Sequence, residues 1–254
     1  MITAGIDMGA KNIKTVILQE GRILAKAQVR GGFDAKESAL QCFQSALDQA
    51  GLSLDKIDRI FSSGSGRKDA PYQQGSITEV SAASKAASHF YPNARTVIDV
   101  GAEEGRAIRC DESGKVVDFA INEKCAAGAG AFTESMARAL EVPLEEFGPL
   151  SLKSNTAIPM NAQCAVFAES EVVSLVHAGT SKENIARAVH DAIASRIVSL
   201  VRKVGYTPEV VVVGGVANNI GFVEALNRGL ETKTIVAENP EFMVALGAAL
   251  AASE

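Results

Sequence analysis

The sequence predicts an α/β protein built from two copies of one unit, strand-strand-strand-helix-strand-helix. Three observations predict it. The triplets Asp7-Met8-Gly9 and Asp99-Val100-Gly101 each end a short apolar run and are offset by 92 positions. An internal repeat on that scale outweighs any single local assignment. The run Val210-Val211-Val212-Val213 is apolar without alternation, as a strand buried on both faces must be, and Gly214-Gly215 follows it. Between these lie stretches with apolar residues at helical spacing, clearest at Ile185, Val189, Ile193, Ile197, Leu200 and Val204.

Taken in order, residues 2–8, 13–19 and 22–30 read as strands, with a turn at Glu20-Gly21. Asp34 can cap a helix, with Glu37 as its capping-box partner. Leu40, Phe43 and Leu47 form that helix's apolar face and Gly51 stops it. Ile57 to Ser62 reads as a strand running into Ser63-Gly64-Ser65-Gly66. That turn lacks a P-loop lysine and hydroxyl, so it reads as a loop between lobes rather than a phosphate cradle. Helix follows from Thr78 to His89. The pattern restarts with strands at 96–100, 105–110 and 115–121, then helices after Cys125 and Cys164 and from Ser181 to Val204. A last helix begins near Pro240, a good first-turn residue, and carries the small residues Ala245-Leu246-Gly247-Ala248-Ala249. This divides the chain into lobes 1–95 and 96–254, with a last helix that can pack back on the first lobe.

Composition narrows the function classes. A net charge of -5 argues against a general nucleic-acid binder, and no apolar run reaches membrane-spanning length. The first residues have neither a basic region nor a cleavage site, so no signal peptide is expected. Four cysteines in 254 residues do not make a secreted disulfide framework, which points to the cytoplasm.

An Asp-x-Gly at a strand tip places a carboxylate beside a residue that lets backbone close in. Two such tips facing one another would hold Mg²⁺–polyphosphate, because Mg²⁺ keeps waters and binds through one or two carboxylates. Asp7 and Asp99 are the candidate carboxylates. Candidate nucleotide contacts are Gly9, Ala10, Lys11, Asn12 and Lys14 in the first hairpin and Gly101 in the second. Gly214, Gly215, Val216 and Ala217 after the valine strand, and Gly247 in the last helix, complete the set. Cys125 and Cys164 each precede a helical run, where unpaired N–H groups favour thiolate. The residues alone leave two readings of them open, buried free thiols or metal ligands. Cys42 and Cys110 read as packing residues. His89, His177 and His190 lack metal-ligand spacing.

The order of Asp-x-Gly hairpin, second hairpin and Gly-Gly resembles the actin, sugar-kinase and heat-shock-chaperone ATPase superfamily. Lys124-Cys125-Ala126-Ala127-Gly128 and Cys164-Ala165-Val166-Phe167-Ala168-Glu169-Ser170-Glu171 narrow this further. With the hairpins and Gly214-Gly215-Val216-Ala217 they are similar, over nearly the whole length, to the 2-hydroxyacyl-CoA dehydratase activators and the benzoyl-CoA reductase ATPase subunits. The resemblance implies a two-lobed actin-like ATPase fold with nucleotide in the cleft. It implies ATP, Mg²⁺ and one [4Fe-4S] cluster held by Cys125 and Cys164 from each of two chains, in a homodimer or paralogous heterodimer. It implies an iron–sulfur dehydratase or reductase as electron acceptor and a ferredoxin- or flavodoxin-like donor. Position 103 would place the hydrolytic water. The activators usually read Gly-Gly-Gln-Asp where this chain has Gly101-Ala102-Glu103-Glu104, and Gly105-Arg106-Ala107-Ile108-Arg109 looks more like the reductase ATPase subunits. The sequence leaves two rivals: a sugar-type kinase without a cluster, and a regulatory nucleotide-binding module without turnover.

Overall fold

A computed structural model describes residues 1–122, 130–160 and 165–254, with backbone alone at 165 and 166. Cys125, with the motif from Lys124 to Gly128, and Cys164 lie outside the described residues, while the helix predicted after Cys164 is described from Ala165. The chain forms two compact units. The first comprises residues 1–95, 110–117 and 241–254, and the second residues 96–109 and 118–240.

In the first unit, β1 (Ile2–Met8) pairs antiparallel with β2 (Asn12–Gln19), and β2 with β3 (Arg22–Arg30). α1 (Ala35–Ala50) then crosses to β4 (Arg59–Ser63), which lies parallel to β1. Asp34 accepts N–H bonds from Lys36 and Glu37 to start α1, and Gly51 ends it in the left-handed region. β5 (Gly75–Ser76) and α2 (Glu79–Phe90) follow, and α8 (Met243–Ala251) completes the unit. One face of β1 presents Ala4, Ile6 and Met8 to the core under α1, with Ile13, Phe43 and Leu47. The other face receives α8: Thr3 Oγ1 donates to Ala249 O at 2.9 Å, and a Cβ on Gly5 would fall 1.9 Å from Ala245 O. Alternation along β1 is what lets one strand serve both layers.

The second unit repeats the plan. β6 (Thr96–Val100), β7 (Gly105–Cys110) and β8 (Val116–Ile121) form the antiparallel part. Four helices occupy the place that α1 fills in the first unit: α3 (Gly130–Ala139), α4 (Leu144–Ser151), α5 (Ala165–His177) and α6 (Lys182–Val204). β9 (Val210–Val213) pairs parallel with β6, then α7 (Ile220–Leu230) leads to β10 (Ile235–Val236). The first sheet runs β3-β2-β1-β4-β5 and the second β8-β7-β6-β9-β10, the same order strand for strand. The predicted α/β duplication is therefore present. The sequence reading passes over β5 and β10, because two residues carry no periodicity, and over α4 between longer neighbours. Among the described residues, no helix is long and apolar enough to cross a membrane.

Candidate nucleotide site in each unit

Asp7 is the last residue but one of β1 and faces Lys14 of β2. The two form an ion pair, Lys14 Nζ to Asp7 Oδ2 at 3.0 Å, with both side chains largely removed from solvent. Pairing is what makes a buried carboxylate tolerable there. Gly9 sits over the pair: a Cβ there would come within 2.7 Å of Asn12 O and 3.2 Å of Lys14 Nζ. Ala10 is exposed at the hairpin tip, and Lys11 and Asn12 are half-buried beside it. The main chain of Lys11 is tied down by Gly31, whose N–H donates to Lys11 O at 2.9 Å.

The second unit builds the same pair with different chemistry. Asp99 is the last residue but one of β6 and faces Arg106 of β7, and Arg106 Nη1 lies 2.9 Å from Asp99 Oδ2. Arg106 Nη2 also reaches Glu104 Oε2 at 2.7 Å, so one guanidinium holds two carboxylates. Gly101 N–H donates to Glu104 O at 2.9 Å and closes the turn. A Cβ on Gly101 would meet nothing nearer than Glu104 O at 3.7 Å, so the fold itself leaves room there. Glu103 is exposed.

Each carboxylate strand is flanked by a parallel strand that ends in a left-handed glycine. In the first unit Ser63 is in register with Asp7, and Gly64 follows at φ +92 with a would-be Cβ 2.4 Å from Met8 O. In the second, Val213 is in register with Asp99, and Gly214 follows at φ +87 with a would-be Cβ 2.4 Å from Val100 O and 2.6 Å from Asp99 Oδ1. Only glycine takes that backbone against that neighbour at little cost. Gly215 is exposed with open space where a side chain would be. Val216 and Ala217 turn inward in a short 3₁₀ segment before Asn219, whose side chain caps α7 by accepting from Gly221 and Phe222 N–H.

The expected loop between lobes, Ser63 to Gly66, is instead a turn inside the first unit beside the Asp7 strand tip. Its counterpart is Gly214, and the glycine ending the parallel strand of each copy was the available signal. Arg106 was legible by the same offset of 92 that relates it to Lys14. Gly247 is buried in the first unit against α2, where a Cβ would fall 1.9 Å from Ala82 O. Its smallness serves a helix crossing.

Among the described residues, no three His, Cys, Asp or Glu side chains cluster as a metal-ion site. Cys42 and Cys110 are free and buried. Cys42 Sγ donates to Ala27 O at 3.3 Å, and burial pushes its thiol up, against thiolate character. His190 is fully buried against Phe147, and burial holds it below the ordinary histidine value. It is a core residue.

Comparison with known proteins agrees with this duplicated plan. Residues 4–252 match the BadF/BadG/BcrA/BcrD ATPase family. The chain is 39% identical over 254 residues to the activator of lactoyl-CoA dehydratase of Anaerotignum propionicum, covering all of this chain and 98% of that one. It is 35% identical over 260 residues to one of the subunits of the benzoyl-CoA reductase of Thauera aromatica, covering 98% and 92%. The solved activator of the 2-hydroxyisocaproyl-CoA dehydratase from Clostridium difficile, with bound ADPNP, superposes with a TM-score of 0.93 at 35% identity. That match covers 99% of this chain and 94% of the other. A family match over nearly the full length, with the duplicated fold of an actin-like ATPase, places this chain in the BadF/BadG/BcrA/BcrD ATPase family.

Proposed function

We propose that the protein is an ATP-driven, low-potential electron donor to an acyl-CoA dehydratase or reductase. The observation that carries the reading is end-to-end similarity to the lactoyl-CoA dehydratase activator in a chain that keeps both branch-specific cysteine motifs. Asp7 and Asp99 would hold one Mg²⁺–ATP through the metal's waters. Lys11 and Lys14 would meet phosphate oxygens, and Glu103 would orient the attacking water. Gly9, Ala10, Asn12, Gly101 and the segment Gly214 to Ala217 would let backbone lie close to the nucleotide. The site chemistry fits such a ligand: paired buried carboxylates at strand tips, with open space at Gly101 and Gly215.

Cys125 and Cys164 are the residues that would hold a [4Fe-4S] cluster, two from each of two chains, because four thiolates are needed. Such a cluster supplies single electrons at low potential when bound. Cys42 and Cys110 are buried packing residues, and burial keeps the Cys42 thiol protonated, so neither is assigned to the cluster. The partners would be a second copy or a paralogue, an iron–sulfur acyl-CoA enzyme as acceptor, and a ferredoxin- or flavodoxin-like donor. Iron content and molecular mass measured together under argon test this. About two irons per chain in a dimer is expected, lost in Cys125→Ser and Cys164→Ser and kept in Cys42→Ser and Cys110→Ser. A monomer that keeps its iron, or about four irons per chain, would overturn the shared site.

A further inference from the structure

The first residues of α3 are bonded to the second Asp-x-Gly hairpin. A helix leaves its first four N–H groups without intrahelical partners. In α3 two of these donate to the hairpin's main chain, Gly130 N–H to Gly101 O at 2.9 Å and Ala131 N–H to Ala102 O at 2.8 Å. Gly130 is also confined from a second direction. A Cβ there would lie 3.1 Å from Val216 Cγ2, 3.4 Å from Gly101 O and 3.6 Å from Ala102 Cα. Val216 belongs to the 3₁₀ segment that follows Gly214, and Gly214 itself lies against Val100 O and Asp99 Oδ1. Three pieces of the second unit thus meet at one residue: the 101–104 hairpin, the Gly-Gly turn and the start of α3.

α3 is built to carry a displacement rather than absorb it. Phe132 and Met136 are fully buried in the core of this unit, together with Ala137 and Leu140. A close-packed helix of this kind shifts as a body. In the sequence, Gly130 follows Cys125 by five positions.

We infer that Gly130 is a positioning residue that couples nucleotide binding to α3. The inference rests on the nucleotide reading above and adds the joint through which that site would act. When the hairpin and the Gly-Gly turn settle around phosphate groups, the two main-chain bonds carry the shift into α3. A Cβ at position 130 would press on the Val216 methyl, so the Gly-Gly turn and the helix start would have to move apart by a few tenths of an ångström, which loosens the joint.

Amide hydrogen exchange on the full chain tests this, with and without Mg²⁺ and a non-hydrolysable ATP analogue. In the wild type, residues 101–104 and the first turn of α3 should slow together, by about tenfold. In Gly130→Ala the hairpin should still respond while the first turn of α3 does not. Gly130→Ala/Val216→Ala, which removes the methyl that the new Cβ would press on, should restore the joint response. A structural role alone would not predict that rescue. A hairpin that responds in the wild type while α3 stays unchanged would overturn the inference, whether or not the variants fold. So would a Gly130→Ala protein with the full coupled response. A hairpin that ignores the analogue altogether would remove the nucleotide reading, and the joint with it.

Discussion

The two Asp-x-Gly hairpins occupy the same place in two sheets of the same strand order, yet they carry opposite charge. The first reads Ala10-Lys11-Asn12 with Lys14 on its carboxylate; the second reads Ala102-Glu103-Glu104 with Arg106. Topology fixes the carboxylate, the facing cation and the left-handed glycine on the neighbouring strand, because those positions hold the tip together. The tip residues are exposed or half-buried, and of their side chains Glu104 is the one that joins the ion pair. They are where the copies diverge. The cations differ too. Lysine is a point charge that serves one carboxylate, whereas arginine's planar fork serves Asp99 and Glu104 at once.

The largest expected effect is removal of either carboxylate. Asp7→Asn and Asp99→Asn should each lower hydrolysis by about 10²–10³-fold, the scale of losing one fixed electrostatic group. Their stabilities should part company. Asp7→Asn leaves Lys14 without its carboxylate and should cost about 3 kcal/mol, the low end for breaking a buried pair. Asp99→Asn leaves Arg106 bonded to Glu104 and should cost clearly less. Urea unfolding of the two variants reads the difference, and equal losses would refute the claim that Glu104 is a second anchor.

Next come the strand-end glycines. Gly64→Ala and Gly214→Ala should each destabilise by roughly 1–3 kcal/mol or more, because φ is positive and backbone oxygen stands in the way. Gly215→Ala, with open space around it, should keep the melting temperature and weaken nucleotide binding. A stable Gly214→Ala would show that the two turns are not equivalent.

A smaller effect is expected from Arg106→Lys. One ammonium cannot reproduce the forked contact, so about 1 kcal/mol of stability should go, near the value of one hydrogen bond. The smallest is Glu103→Gln, which restores the residue usual in the activators. Turnover should be unchanged if Glu103 positions water. A collapse in rate would show that its charge acts as a base or metal partner.

Much of this was legible in the sequence because repetition makes weak signals add. One Asp-x-Gly is a turn; two at a fixed offset, with a valine strand ending in Gly-Gly, describe a duplicated sheet. The facing partners were harder. Lys14 reads from the sequence as a phosphate contact, and its bond to Asp7 emerges only from strand register. Arg106 enters the sequence reading only through the resemblance, although the offset of 92 from Lys14 marks it as the facing cation once strand register is known. Ser63-Gly64-Ser65-Gly66 lacks a P-loop lysine and hydroxyl and so reads as a loop between lobes; the parallel pairing of β1 and β4 is what brings Gly64 beside Met8. Gly247 has a packing role that the sequence does not announce. A run of small residues suggests a ligand surface, and here it admits the backbone of α2.

The central claim is that both hairpins serve one nucleotide, and counting bound Mg²⁺–ATP analogue per chain by equilibrium dialysis tests it most directly, with the wild type beside Asp7→Asn and Asp99→Asn. The account predicts one nucleotide per chain, and both variants weakened on that same site. Two nucleotides per chain, or a variant that keeps about half of the wild-type capacity at full affinity, would contradict it, because independent sites fail independently.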